Sequence, residues 1–199
     1  ETLARRALQL CSIPTDGSPE GHKKECLLAV DLGCGTGLST AVASRVRAVT
    51  LGTIGIDLSS EMLKSPEWAE VCSLPAPLSG ERLRCDLGQR LPFRPGVFDL
   101  CYSVSAVHYL AQASATRSAE ERIGALTTSL KDILSANAKP CALQAYLTRN
   151  SNAIELFRSV ALKDGWTLCD LVVDQSHSRP AERDFLYLAK NTTGQPHRC

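Results

Sequence analysis

The residues best suited to chemistry in this chain are a short glycine-rich segment, Asp31-Leu32-Gly33-Cys34-Gly35-Thr36-Gly37, and two later carboxylates, Asp57 and Asp86. Glycines at alternate positions carry no Cβ, so the backbone can turn through positive φ and a ligand can lie against bare peptide groups. A helix beginning just after such a turn offers free N–H groups to an electron-rich ligand. Asp57 lies 20 residues beyond Gly37, where an acidic side chain can accept both hydroxyl hydrogens of a ribose. Its alternative role is a plain helix N-cap ahead of Ser60. Asp86 could receive an adenine amine, or could be a solvated acid at a strand end. Three acids at the ends of three successive strands are harder to ascribe to chance than any one of them.

These groups need a scaffold that brings strand ends together. Residues 27–32 form a continuous apolar run ending in glycines, as expected of a central parallel strand covered on both faces. Similar short runs at 53–58, 83–86, 97–104, 141–147, 168–173 and 185–189 bring the count to seven strands, most of them separated by helix-length segments. Helical spacing marks residues 2–11, 38–46, 120–134 and 152–163, the last closed by Gly165. Residues 12–25, with two prolines and two glycines, read as a loop. No helix fits between the last two strands, which predicts a hairpin and an antiparallel terminal strand at one side of the sheet. The fold class is therefore α/β: a doubly wound, seven-stranded, mostly parallel sheet. In such sheets the first strand-to-helix turn is the switch point where ligands bind.

Bulk properties narrow the function. A chain of 199 residues is expected to be one domain, residues 1–199, and 44% hydrophobic residues suit an ordinary globular core. With 22 basic against 21 acidic residues the net charge is +1, without the broad positive field of a nucleic-acid binder. No apolar run approaches the ~20 residues of a membrane span, and no signal peptide is evident. The nine cysteines sit singly, so no zinc site is expected, and their odd number suits a reducing compartment. Those at 26, 85, 101, 141 and 169 fall in apolar runs and are expected to be buried.

The glycine spacing separates two cofactors. A nicotinamide-binding turn follows G-x-G-x-x-G, whereas here the third glycine comes one residue early and Leu38 stands where that pattern wants glycine or alanine. Asp31 ahead of the turn completes the D-x-G-x-G-x-G form of methyltransferases, which favours a sulfonium cofactor. Methyl transfer from a sulfonium is an in-line displacement that mainly requires alignment. The stretch Ser103-Val104-Ser105-Ala106-Val107-His108-Tyr109 follows strand four, with neither the Asn/Asp-Pro-Pro-aromatic turn used on base amines nor a cysteine placed to attack a pyrimidine carbon. An acceptor with a free lone pair, such as the seventh ring nitrogen of guanine, needs no general base.

Several stretches together resemble one family. They are Ala7-Leu8-Gln9-Leu10-Cys11-Ser12-Ile13-Pro14, the glycine turn with Leu38-Ser39, Gly55-Ile56-Asp57-Leu58-Ser59 with Met62-Leu63, and Asp86-Leu87-Gly88-Gln89 with Leu91-Pro92-Phe93. Gly96-Val97-Phe98-Asp99, Ser103 to Val107 and Gln144-Ala145-Tyr146 continue the pattern. The chain resembles the eukaryotic guanine nitrogen-7 methyltransferases of small-subunit (18S) ribosomal RNA, the bud-site-selection methyltransferase family, built on the class I, Rossmann-like methyltransferase fold.

The resemblance implies S-adenosyl-L-methionine as cofactor and S-adenosyl-L-homocysteine as product. It places Asp31, Gly33, Cys34, Gly35, Thr36, Gly37, Asp57, Leu58, Met62, Asp86, Leu87 and Ser103 around them. Ser105, His108, Tyr109 and Tyr146 are the candidates for orienting the base. It further implies pre-ribosomal RNA as substrate and nuclear work in ribosome biogenesis, with the cytoplasm as a second location. A small zinc-binding activator subunit is expected along the edge strand from Leu83 to Asp86, by backbone pairing.

The chain differs from the family at His108-Tyr109, where the family has Gln-Trp, and at Tyr146-Leu147-Thr148, where it has Tyr-Pro-Glu. It is expected to lack the family's N-terminal segment and basic C-terminal tail. Two other functions fit the same motifs: methylation of another RNA or a small molecule, and a ribosome-assembly role in which binding outweighs catalysis.

Overall fold

The structure is a computed structural model, which describes residues 2–15, 24–73, 80–146, 153–173 and 183–189. Its strands are β1 (Glu25–Leu32), β2 (Val49–Asp57), β3 (Gly80–Arg84), β4 (Leu100–Ser103), β5 (Cys141–Tyr146), β6 (Thr167–Val173) and β7 (Arg183–Ala189). They form one sheet in the order β3-β2-β1-β4-β5-β7-β6. The helices are α1 (Thr2–Leu10), α2 (Leu38–Ser44), α3 (Ser60–Leu63), α4 (Glu67–Cys72), α5 (Ala119–Ile133) and α6 (Ala153–Lys163), with a 3₁₀ turn at Val107–Ala111.

The strands β1 to β5 pair in parallel, in register from Glu25 opposite Val49 to Leu32 opposite Ile56. The expected antiparallel terminal strand is present but does not lie at the side of the sheet. β7 inserts between β5 and β6, antiparallel to both, and β6 becomes the outer strand. A hairpin can pair either of its strands with the existing sheet, and local sequence does not specify which. β2 begins four residues earlier than its apolar run suggests, because Gly52 interrupts the pattern without interrupting the ladder to β1.

Alternation along the strands feeds two cores. Val30 and Leu32 pack with Cys101, Leu143 and the apolar faces of α5 and α6, including Ile123, Leu126, Leu130 and Phe157. Ala29, Leu100, Tyr102 and Ala142 face the other way, against Ala4, Ala7 and Leu8 of α1 and Val42 and Ala43 of α2. Both faces of β1 are therefore dry, as the run at 27–32 requires.

The long helix α5 begins with a capping box in which Ser118 and Glu121 satisfy each other's backbone N–H groups. Gly165, at φ 78°, ends α6 with the back-bonds Gly165 N to Leu162 O at 2.9 Å and Trp166 N to Ala161 O at 3.0 Å.

Cys101 and Cys141 are buried as expected, with Cys11 and Cys34, but Cys26 is exposed because it opens β1 ahead of the covered stretch. The side chain of Cys169 lies outside the described residues, as do Leu147 and Thr148. Among the described residues no helix is long and apolar enough to cross a membrane, and no cluster of three or more His, Cys, Asp or Glu could hold a metal.

Candidate active site

The sheet order reverses direction between β1 and β4, and a cleft of about 790 Å³ opens there over the C-terminal ends of β1 to β4. That volume is in the range of cofactor sites. Gly33, Cys34, Gly35 and Thr36 form its floor, and Asp57, Leu58, Met62, Asp86 and Leu87 line one wall. Ser105, Ala106 and Tyr109 line another, with Leu3 and Ala4 of α1 beside them.

The turn is held by its own peptide groups. The N–H groups of Gly33 and Cys34 both donate to the carbonyl of Ile56, at 2.7 and 3.0 Å. Gly35 N–H donates to Asp57 Oδ2 at 2.9 Å, and Ser59 N–H to Asp57 Oδ1 at 2.8 Å. Each carboxylate oxygen of Asp57 thus accepts one backbone bond, which leaves each a further lone pair for a ligand hydroxyl. Besides standing where a ribose acceptor is expected, Asp57 fastens the glycine turn to the end of β2.

The three glycines serve different purposes. At Gly33 a Cβ would stand 2.0 Å from the Cβ of Ala106, so this position admits the chain after β4. At Gly37 a Cβ would lie 2.9 Å from the indole of Trp68. At Gly35, with φ at 54°, a Cβ would meet nothing within 4 Å among the described residues: here the bare backbone faces open space.

Asp31 is fully buried beneath the floor and does not line the cleft. Its Oδ2 accepts the hydroxyls of Ser39 and Thr40, at 2.5 and 2.8 Å, so it acts through α2, and Ser39 rather than Asp31 reaches the cleft. Burial raises its pKa to about 6, partly offset by those two hydroxyls. Its Oδ1 is buried near the equally buried Tyr102 hydroxyl, which also favours the ionised form.

Ser103 is also buried and donates to Leu32 O at 2.7 Å, tying β4 to β1, because its place in the strand points it inward. Gly37 is buried against Trp68, at the start of α2. His108 is buried on the inner side of the 3₁₀ turn, its ring 4.2 Å from that of Tyr109. The same turn places Tyr109 at the cleft, half exposed. Of the four expected base-orienting residues, Ser105 and Tyr109 line the cleft and His108 does not, while the side chain of Tyr146 lies outside the described residues.

Ser105 has φ 62°, a left-handed conformation that costs a residue with a Cβ about 1 kcal/mol or more. Its N–H and its hydroxyl both donate to Oε1 of the fully buried Gln144, at 2.7 and 2.9 Å, and Gln144 Nε2 donates onward to Ala145 O at 2.9 Å. This bracket from β5 holds the strained turn. Gln144 was legible only as part of the resemblance; its role requires β4 and β5 to be neighbours.

Arg122 of α5 was not anticipated. Its guanidinium donates to the carbonyls of Tyr109 and Gln112, at 3.1 and 2.7 Å, and lies 3.8 Å from Asp86 Oδ1. Asp86 Oδ1 also accepts Gly88 N–H at 2.8 Å. The arginine thus joins the loop after β3 to the 3₁₀ turn across the cleft mouth.

The residues fit an adenine nucleoside carrying a sulfonium: Asp86, Asp57 and the open face of Gly35 follow one another along the cleft. Leu38, Leu58, Met62 and Tyr109 leave apolar surface exposed around it. Cys34 lines the cleft, but burial, with Asp31 and Asp57 nearby, raises its pKa and keeps it a thiol.

A family model described as a methyltransferase domain matches residues 30–123. The 18S rRNA (guanine-N(7))-methyltransferase of Bos taurus is 34% identical over 94% of this chain and 59% of its own length. The 18S rRNA (guanine-N(7))-methyltransferase RID2 of Arabidopsis thaliana is 35% identical over 96% of this chain and 59% of its own. The chain thus spans less than two thirds of these curated relatives. A solved chain from the complex between the Haloferax volcanii Trm112 methyltransferase activator and a methyltransferase has the same fold, with a TM-score of 0.60 and 15% identity, covering 94% of this chain and 92% of that one. The turn after β1, the acids closing β2 and following β3, and this similarity along nearly all of its residues liken the chain to the 18S rRNA (guanine-N(7))-methyltransferases, on a fold that it shares with solved methyltransferases.

Proposed function

We propose that this chain is the catalytic core of an enzyme that methylates guanine N(7) in small-subunit ribosomal RNA during ribosome biogenesis. The observation that carries the reading is similarity over 94% of the chain to enzymes of that name, combined with a cleft whose lining suits S-adenosylmethionine. Bound there, the cofactor supplies an electrophilic methyl group on its sulfonium.

The chain's own residues bind, orient and exclude water. Asp57 takes the ribose hydroxyls, Asp86 and its loop take the adenine, and Leu58 and Met62 cover the nucleoside. Ser105 and Tyr109 meet the acceptor base at the end of β4. No described cleft residue is set up as a general base, which suits an acceptor whose lone pair is already free. The raised pKa of Cys34 argues against the thiolate attack that a pyrimidine carbon would need.

A small activator subunit would add to β3, the edge strand, which runs over Gly80–Arg84 rather than from Leu83 to Asp86. This strand closes one end of the sheet and exposes Glu81, Arg82 and Arg84, and the Haloferax complex supports such a partner for the fold. Zinc in that partner, and action in the nucleus, belong to the same proposal.

Two measurements test it. Asp57→Ala should abolish calorimetric binding of S-adenosylhomocysteine. Deleting the gene should remove an N(7)-methylguanine from small-subunit RNA, and the mark should return with the native protein but not with the Asp57→Ala variant. Unchanged methylation on deletion defeats the proposal. Ribosome production rescued fully by Asp57→Ala would make assembly, not catalysis, the main role.

A further inference from the structure

Trp68 is the largest fully buried side chain among the described residues, and it is packed against the glycine turn rather than in either main core. Its indole sits in a slot that only glycines can form: a Cβ at Gly37 would lie 2.9 Å from its ring and one at Gly55 2.6 Å. Its Nε1–H donates to the carbonyl of Gly35 at 3.0 Å, and the guanidinium of Arg82, on β3, lies 5.8 Å over the ring.

The Gly35 backbone is therefore clamped on both sides, its N–H by Asp57 and its C=O by Trp68. In a trans peptide the carbonyl and the following N–H point in opposite directions. Fixing Gly35 O toward Trp68 turns the N–H of Thr36 the other way, and Thr36 lines the cleft.

We propose that Trp68 is a positioning residue for the cofactor, and that its indole N–H sets the Gly35–Thr36 peptide for the amino-acid end of S-adenosylmethionine. This rests on the cofactor reading above. Along the cleft, Asp86 follows β3, Asp57 ends β2 and the glycine turn ends β1, in that order across the sheet. With adenine at Asp86 and ribose at Asp57, the sulfur and amino-acid tail lie over Gly33 to Thr36. Trp68 never touches the ligand; it acts through one peptide.

The test compares two ligands on the whole chain: S-adenosylhomocysteine, and 5′-methylthioadenosine, which keeps the nucleoside and sulfur but lacks the amino-acid end. Trp68→Phe keeps the ring in the slot and removes the N–H. By calorimetry it should weaken S-adenosylhomocysteine about tenfold, equivalent to about 1.4 kcal/mol, and change methylthioadenosine less than twofold.

Because that variant could fold poorly, a second measurement uses the native chain. It has two tryptophans, and Trp166 is an internal control, bonded to Thr127 O at 3.3 Å on the other side of the sheet. In ¹⁵N spectra S-adenosylhomocysteine should shift the Trp68 indole signal and leave that of Trp166 in place, and methylthioadenosine should move neither. Equal weakening of both ligands, no weakening of either, or an unmoved Trp68 signal at saturation would overturn the positioning role while leaving the cofactor reading intact. A native chain that binds neither ligand would remove both.

Discussion

Gly35→Ala separates the role of the glycine turn in folding from its role in binding. The added methyl group meets nothing within 4 Å among the described residues, so its cost to folding is conformational. A residue with a Cβ at φ 54° is disfavoured by about 1–2 kcal/mol, and the stiffer unfolded chain returns up to about 1 kcal/mol, for a net loss of roughly 1 kcal/mol. In the bound state the same methyl stands on the cleft floor, where a ligand packs on bare backbone. Crowding of that kind costs about 1–3 kcal/mol, or roughly 5- to 150-fold in Kd. Urea unfolding should therefore report a small loss, and calorimetry with S-adenosylhomocysteine a large one. Gly33→Ala should behave in the opposite way. Its Cβ would be 2.0 Å from that of Ala106, both are fixed to backbone, and no rotamer relieves the clash, so about 3 kcal/mol or more of stability should be lost. A Gly35→Ala protein that binds the ligand within twofold of the native affinity would show that the cofactor does not lie on this turn.

Two further outcomes follow from buried polar groups. Burial lifts the Asp31 carboxyl from 3.8 to about 6, equivalent to about 3 kcal/mol against its ionised form. The folded state then binds more protons than the unfolded one between those values, so stability should fall as pH rises from about 4 to about 6 and level off above. Asp31→Asn should flatten that fall in urea titrations across pH 4–7, and an unchanged profile would mean that another group is responsible. Gln144→Leu removes the acceptor of the Ser105 N–H and hydroxyl, and should cost about 1–3 kcal/mol of stability. It should slow methyl transfer while leaving the Kd for S-adenosylhomocysteine within threefold, because Gln144 lies outside the cleft. An unaltered rate would show that the Ser105 geometry does not matter to the acceptor.

Much was legible from residues alone, because it depends on neighbours in sequence. The dry run at 27–32 specified a central strand, the glycines after it a turn, and the spacing an acid closing the second strand at Asp57, whereas Asp86, expected to end the third, lies two residues beyond it. Period and turn chemistry are local, so seven strands and a parallel sheet followed. What tertiary structure alone decided is where side chains met. Whether Asp31 and Ser103 reach the cleft or support it from below depends on which face of the sheet α1 and α2 cover. Whether His108 or Tyr109 meets the ligand depends on the rotation of one 3₁₀ turn. The use of Gly37 and Gly55 to admit Trp68, the bracket of Gln144 on Ser105, the reach of Arg122 across the mouth and the insertion of β7 beside β5 each join residues far apart in the chain. Spacing along the chain carries the conformational preferences of each segment, but contacts between distant segments are set by how whole elements pack.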